Sequence, residues 1–144
     1  MLVIASACSA PEPPVHVFDA CEPLRLDVDD ASRAADVDAA IASWESVGVM
    51  TVSRDAVTDN AVAVHFGAAS PSEFGLYTGS SIEINEELAG DQLSIVIAHE
   101  LGHALGLVHV DPHDRVSVMN AGNLGTAPTG DDDAAVVALW GRCN

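Results

Sequence analysis

The stretch from residue 99 to residue 109 constrains the fold of this chain more than any other part of the sequence. It reads His-Glu-Leu-Gly-His-Ala-Leu-Gly-Leu-Val-His. On a helix, His99 and His103 would be about one turn apart, so their side chains would project from the same face. Gly106 accepts the positive φ that commonly ends a helix, and the sharp turn it allows would bring His109 back toward the other imidazoles. The stretch therefore predicts a helix that ends at a glycine turn.

Imidazoles gathered in this way are typical zinc ligands, and a site with only three protein ligands leaves a fourth position open, as catalytic zinc sites do. Glu100 is the neighbour of His99, and its carboxylate can reach a water at the open position without binding the ion itself. We therefore predict one catalytic Zn2+ bound by His99, His103 and His109, with Glu100 as the general base.

Hydrophobic periodicity along the rest of the chain predicts an α+β fold. Short strands are expected at residues 15–18, 24–28, 50–53, 62–66, 75–78 and 82–85. Helices are expected over 31–47, over 92–105 with Asp91 as the N-cap, and from an opening at Thr129 through Trp140. Residues 110–130 lack periodicity and are rich in Asp, Pro, Gly and Asn, which predicts a long functional loop.

Acidic residues dominate the charge of the chain, which carries 22 Asp and Glu against 5 Arg and has a formal net charge of −17. Such a chain repels phosphate backbones, so we expect no nucleic-acid partner. The acidity has two open interpretations, a well-solvated surface or a cleft that favours basic peptides.

The length fits one domain over residues 15–144, after a leader and proline-rich linker at 1–14. Nothing in the sequence requires more than a monomer.

The cysteines indicate an oxidising compartment. Residues 5–8, Ala-Ser-Ala-Cys, resemble a bacterial lipoprotein processing site, although the preceding apolar stretch is short and has no positive charge. If Cys8 carries a lipid, Cys21 and Cys143 remain as a pair that can form a disulfide, and two unpaired thiols are the alternative. We expect an extracytoplasmic protein, secreted or anchored to the cell envelope, that contacts a membrane only through Cys8.

The zinc motif resembles the extended signature of the metzincin metallopeptidases, in which a methionine turn follows the third histidine. Ser117-Val-Met-Asn120 occupies that place, so the resemblance implies that Met119 packs beneath the ligands. Over residues 15–141 the chain looks most like a minimal matrixin-type catalytic domain. The resemblance implies a small twisted mixed sheet, a buried active-site helix and a C-terminal helix, and it implies zinc-dependent cleavage of peptide or protein substrates.

The same resemblance implies how a substrate lies in the site. An extended peptide would pair with an edge strand formed by Phe74, Gly75, Leu76, Tyr77 and Thr78, and residues 121–126 would form the wall of the pocket beyond the scissile bond. The chain departs from the matrixin pattern at Val110, where a small hydroxyl residue is usual, and at Asn120-Ala121, which replaces an aromatic residue and a proline. The structural zinc and calcium loops of animal matrixins are not evident.

Other interpretations of the site stay open. One is a zinc-bearing binding module of the envelope that has lost catalysis, against which the presence of Glu100 counts. Another is a zinc amidase that acts on cell-wall peptides. The remaining histidines, His16 and His65, are expected to be ordinary strand residues, and His113 is expected in a plain turn rather than at a second ion.

Overall fold

One five-stranded mixed sheet organises the part of the chain that the computed structural model describes, residues 15–67 and 73–144. Its strands are β1 (Leu24–Val28), β2 (Val52–Ser53), β3 (Ala61–Phe66), β4 (Gly75–Tyr77) and β5 (Ser81–Ile84). The strand order is β2-β1-β3-β5-β4, and all neighbours are parallel except the pair of β4 and β5. β4 is therefore an antiparallel strand at one edge of the sheet.

The strands form because their apolar residues alternate, so each strand places one side against the core. The buried set consists of Leu24, Leu26, Val62, Val64, Ile82 and Ile84. Arg25, His65 and Glu83 alternate with these residues and project from the opposite side of the sheet, where they retain contact with solvent. The core consequently lies on one side of the sheet only.

Two helices cover the buried side of the sheet, α1 (Ala34–Glu45), which follows a short 3-10 helix at Ala31–Arg33, and α2 (Gly90–Ala104). A third helix, α3 (Gly130–Trp140), contacts the carboxyl end of α2. α1 and α2 pack against each other, and the indole Nε1 of Trp44 donates to the carbonyl of Ala98 over 2.9 Å. α2 is buried along most of its length. None of the described helices is long and apolar enough to cross a membrane.

The predicted α+β fold is confirmed, with its mixed sheet, buried helix and terminal helix. The prediction of a strand at residues 15–18 was wrong, because the N–H of Phe18 donates to the carbonyl of Ala104 at the end of α2 rather than to a neighbouring strand. Residues 1–14, including Cys8, and residues 68–72 lie outside the described residues.

Two helix boundaries also differ from the prediction. The segment expected to be one helix over 31–47 begins with a 3-10 turn and is α-helical only from Ala34 to Glu45. α2 starts one residue before Asp91, its N-cap is Ala89, and that cap makes no side-chain hydrogen bond. Asp91 lies instead in the first turn, where its carboxylate interacts favourably with the helix dipole.

A disulfide joins the two ends of the described chain. The Sγ atoms of Cys21 and Cys143 lie 2.09 Å apart, and the bridge closes a separation of 122 residues. In the loop-entropy model a closure of this length stabilises the fold by about 4–5 kcal/mol. Nearby, the indole Nε1 of Trp140 donates to the carbonyl of Leu105 over 2.7 Å. Both chain ends are thereby attached close to the carboxyl end of α2.

Candidate metal centre

Three histidine side chains converge at the carboxyl end of α2. The Nε2 atom of His109 lies 3.2 Å from Nε2 of His99 and 3.3 Å from Nε2 of His103. Nitrogens bound tetrahedrally to one Zn2+ at 2.0–2.1 Å would be separated by about 3.3 Å. The spacing of the three nitrogens therefore fits a zinc ion with one open coordination position.

Backbone carbonyls determine which nitrogen is protonated in two of the three rings, those of His99 and His103. Nδ1 of His99 lies 2.6 Å from the carbonyl oxygen of Val118, and Nδ1 of His103 lies 2.8 Å from that of Leu107. Because a carbonyl only accepts, both Nδ1 atoms must donate a proton, which leaves the Nε2 lone pairs for a metal. Burial lowers the pKa of His99 to about 4, so this ring is neutral at pH 7. The donor set is thus chemically suited to a divalent cation.

Gly106 makes the return of the chain possible. Its φ is 95°, in the left-handed region that favours glycine, and the N–H of Leu107 donates to the carbonyl of Gly102 over 2.9 Å. The turn directs His109 back toward α2. The N–H of Val110 then donates to the carbonyl of Met119 over 3.0 Å, which ties the segment carrying His109 to the methionine turn.

Met119 lies directly beneath the helix that carries the ligands. It is fully buried, and a Cβ added to Gly102 would lie 2.5 Å from its sulfur atom. Gly102 precedes the ligand His103, so only a residue without a side chain leaves room for the methionine at this point. The methionine turn and α2 are consequently in close contact.

A buried carboxylate connects the methionine turn to the terminal helix. Asp132, in the first turn of α3, accepts hydrogen bonds from the guanidinium of Arg115 (2.6 Å), the hydroxyl of Ser117 (2.5 Å) and the N–H of Val118 (3.0 Å). Burial alone would raise the pKa of Asp132, but these hydrogen bonds and one from the N–H of Thr129 together keep it below its usual range. Asp132 thereby holds Val118, the residue whose carbonyl accepts from His99.

Glu100 lies on the same helix and is 6% exposed. Burial raises its pKa to about 7, against the effect of a hydrogen bond from the backbone N–H of Tyr77 in β4. Gly75 of the same strand lies close to α2, since a Cβ at this position would lie 3.0 Å from Cγ of Glu100 and 2.9 Å from Cγ1 of Val96. The edge strand therefore touches and orients this carboxylate.

The histidines and Glu100 open into a cleft of about 660 Å³. Its other lining residues are Val15, Val17, Glu73, Phe74, Gly75, Leu76, Tyr77, Val96, Gly106, Leu107, Val108, Gly122 and Asn123. The structure thus places most of the predicted substrate strand along the cleft, together with Gly122 and Asn123 from the predicted wall at 121–126. Asn123 shapes that wall, because its side chain donates to the carbonyl of Thr126 and accepts from the N–H of the same residue.

The remaining histidines lie away from this centre or take no part in it. His65 contacts Asp29 at 2.6 Å on the open side of the sheet, His113 contacts Asp111 at 2.9 Å in a turn, and the ring of His16 packs edge-on against Phe18. Within residues 15–67 and 73–144, no other group of three His, Cys, Asp or Glu side chains is close enough to share an ion.

The sequence reasoning did not identify Glu73, Asp132 or the N–H of Tyr77 as part of the site. A signal existed only for Asp132, which completes a capping box with Thr129 at the start of α3. That pattern predicts a helix start and gives no indication that the carboxylate is buried beneath the methionine turn. The other two contacts depend on how β4 lies against α2.

Comparison with known families identifies the region that contains this centre. The family model described as dual-action HEIGH metallo-peptidase matches residues 32–135, well over half of the chain. The motif in that description corresponds to residues 99–103 here, with Leu101 in place of isoleucine. A search of the curated proteins finds no match to the chain.

Substitution of one ligand tests the metal centre. His109→Ala removes the nitrogen closest to both other rings, and we expect zinc affinity to fall by about 100-fold or more, beyond the loss typical of outer hydrogen-bond partners. His113→Ala is the matched control, because this exposed histidine lies four residues further along the chain and its ring contacts Asp111. Metal content after dialysis and titration against a chelator measure the effect. Equal zinc retention by both variants would contradict the assignment.

Asp132→Asn tests whether the hydrogen bonds of the Asp132 carboxylate stabilise the methionine turn. An amide has only one acceptor oxygen for the donors of Arg115, Ser117 and Val118, so we expect a loss of about 2–3 kcal/mol in the free energy of unfolding at pH 7. Because the folded-state pKa of Asp132 is lowered, its contribution is complete above the unfolded pKa of about 3.9 and is lost as the pH falls through the folded value.

The measurement is urea denaturation of the chelator-treated protein at pH 7, 5 and 3.5. The difference in the free energy of unfolding between the unsubstituted protein and Asp132→Asn should be similar at pH 7 and 5 and smaller at pH 3.5. Asp131→Asn, at the neighbouring exposed position, is the control and should change stability by less than about 0.5 kcal/mol. A loss for Asp132→Asn that does not exceed that of Asp131→Asn would exclude the supporting role.

Proposed function

The chain belongs to the family of dual-action HEIGH metallo-peptidases, and we propose that it is a zinc-dependent endopeptidase that cleaves extended polypeptides. The observation that carries the proposal is the convergence of the three Nε2 atoms at the floor of a cleft that also contains the Glu100 carboxylate. Within the zinc peptidases, the glycine turn and the buried methionine beneath the helix favour a compact matrixin-like arrangement.

The proposed chemistry divides between the ion and one carboxylate. Zinc bound by His99, His103 and His109 would supply a Lewis acid that acidifies water and polarises a carbonyl. Glu100 would accept the proton of the attacking water and later deliver it to the departing amine. Its position supports this role, because the carboxylate lies in the cleft beside the ligands and is oriented by the N–H of Tyr77.

The edge strand is suited to pair with a substrate backbone. The carbonyl of Phe74 accepts from Asn85, and the N–H of Thr78 donates to the carbonyl of Ser81, so these residues turn their peptide groups toward β5. In an antiparallel pair, alternate residues face opposite sides, and the peptide groups of Gly75 and Tyr77 therefore point away from β5. An extended peptide that adds to this edge would lie in the cleft above Glu100.

We place the protein outside the cytoplasm, secreted or anchored through Cys8. The disulfide between Cys21 and Cys143 supports an oxidising compartment. Lipidation of Cys8 remains a separate part of the proposal, and mass spectrometry of the membrane fraction of the native host would test it.

Glu100→Gln tests the catalytic proposal. The amide keeps the size of the side chain but cannot accept a proton, so cleavage of a mixed peptide library should fall by about 100- to 10,000-fold. Zinc content should remain close to that of the unsubstituted protein. Glu87→Gln removes the same charge at an exposed site before α2 and should leave cleavage unchanged.

The outcomes separate the alternatives. Equal cleavage by the unsubstituted protein and Glu100→Gln would exclude Glu100 as the base. No cleavage by any zinc-loaded variant would favour a binding module without catalysis. Hydrolysis of cell-wall peptides alone would favour the amidase.

Gly75→Ala tests the contact between the edge strand and the base. The new Cβ would meet Val96 and Glu100 at distances that force the strand or the carboxylate to move. Displacements of this size near reacting groups cost up to about 100-fold, so we expect kcat to fall by about 10- to 100-fold while zinc is retained. Gly130→Ala is the control, because a Cβ at that position, outside the cleft, meets nothing within 4 Å. Unchanged kcat in Gly75→Ala would show that the strand does not position Glu100.

A further inference from the structure

Apart from the histidines, the ionisable side chains that line the cleft are acidic or phenolic, and none is basic. Among its described lining residues, Glu73 and Glu100 are the only carboxylates and there is no lysine or arginine. Four of the five arginines contact acceptors elsewhere, namely Asp27 for Arg25, the Leu88 carbonyl for Arg33, Asp38 for Arg54 and Asp132 for Arg115. A basic side chain of a substrate would therefore meet no lysine or arginine side chain in the cleft.

Glu73 lies at the beginning of the edge strand with its side chain exposed. Its backbone carbonyl accepts from the side-chain amide of Asn85 over 3.3 Å, which fixes this residue against the end of β5. Glu73 lies two residues before β4 and lines the same cleft as Gly75 and Glu100. Glu73 is close enough for its charge to act on that of Glu100.

Glu73 and Glu100 nevertheless have different environments. Glu100 is buried beside the ligands and is bonded by the Tyr77 N–H, so its carboxylate is already engaged at the centre of the site. Glu73 is exposed and lines the cleft, and the hydrogen bond at Glu73 involves its backbone carbonyl rather than its carboxylate. An exposed carboxylate at the margin is suited to recognition of charge rather than to proton transfer.

Resting on the proposed peptidase function, we infer that Glu73 selects polypeptides with a lysine or arginine close to the scissile bond. A peptide paired with β4 would place successive side chains along the line from Glu73 to the metal ligands, within reach of a long basic side chain. The net charge of −17 also attracts basic peptides from a distance, but that effect belongs to the whole surface. The local effect of Glu73 is a preference at one defined substrate position.

The test compares matched peptides. Each carries lysine or norleucine at one of the two positions on either side of the scissile bond, and kcat/KM is measured for the zinc-loaded protein at low and high salt. We expect a preference for lysine of about fivefold at one position, the upper range for an exposed ion pair, and we expect high salt to reduce it. The preference should appear mainly as a lower KM for the lysine peptide.

Three variants separate the local effect from the net charge. In Glu73→Gln, the ratio of kcat/KM for the lysine peptide to that for the norleucine peptide should fall to about one. Glu73→Lys should favour a matched peptide with glutamate at the same position. Glu87→Gln changes the net charge by the same amount outside the cleft and should keep the preference. An equal ratio in Glu73→Gln and the unsubstituted protein, or a preference at no position, would overturn the inference.

A binding measurement distinguishes failure of this inference from failure of the proposed function. Fluorescence anisotropy of the same labelled peptides with zinc-loaded Glu100→Gln should show tighter binding of the lysine peptide, and the double variant with Glu73→Gln should lose that difference. If no peptide is cleaved but this difference is found, the peptidase proposal fails and the selectivity stands. Absence of the difference in both cleavage and binding overturns the selectivity.

Discussion

Three imidazole lone pairs directed at one point form the interaction on which the rest of the structure depends. The Nε2 atom of His109 lies 3.2 and 3.3 Å from those of His99 and His103, and lone pairs directed at one another across such distances repel unless a cation lies between them. Flexible side chains would avoid that arrangement, so the surroundings have to impose it. The carbonyls of Val118 and Leu107 do this, because each accepts the Nδ1 proton of one ring and thereby sets both its tautomer and its direction.

Those carbonyls are themselves positioned by separate parts of the chain. Leu107 follows the glycine turn, so its carbonyl is fixed by local geometry. Val118 belongs to the methionine turn, which has little regular secondary structure of its own, and its peptide is fixed by the Asp132 carboxylate from α3. A buried carboxylate would ordinarily be costly, but here it satisfies backbone, hydroxyl and guanidinium donors at once. The terminal helix thus contributes to the metal centre without supplying a ligand.

How far the sequence predicts this arrangement depends on the range of each interaction. The motif helix, the turn at Gly106 and the start of α3 at Thr129 depend on neighbours within a few residues, and the sequence predicts all of them. The segment at 15–18 alternates like a strand, yet it bonds to the end of α2, which no local pattern indicates. Asp132 is one of three consecutive aspartates, and the sequence gives no reason to expect that it alone is buried. Its burial results from the packing of α3 against the methionine turn.

In the proposed function, β4 positions Glu100 of α2, whereas selectivity belongs to Glu73, two residues before the strand. The first residue of β4 has no room for a side chain, because a Cβ at Gly75 would collide with Glu100. Tyr77 turns its ring into the core and its N–H toward the same carboxylate. Leu76, between them, is exposed and apolar, so a charged contact with a substrate has to come from outside the strand. Glu73 lies at the end where the strand enters the cleft, and a charge there can act on a substrate without displacing the base.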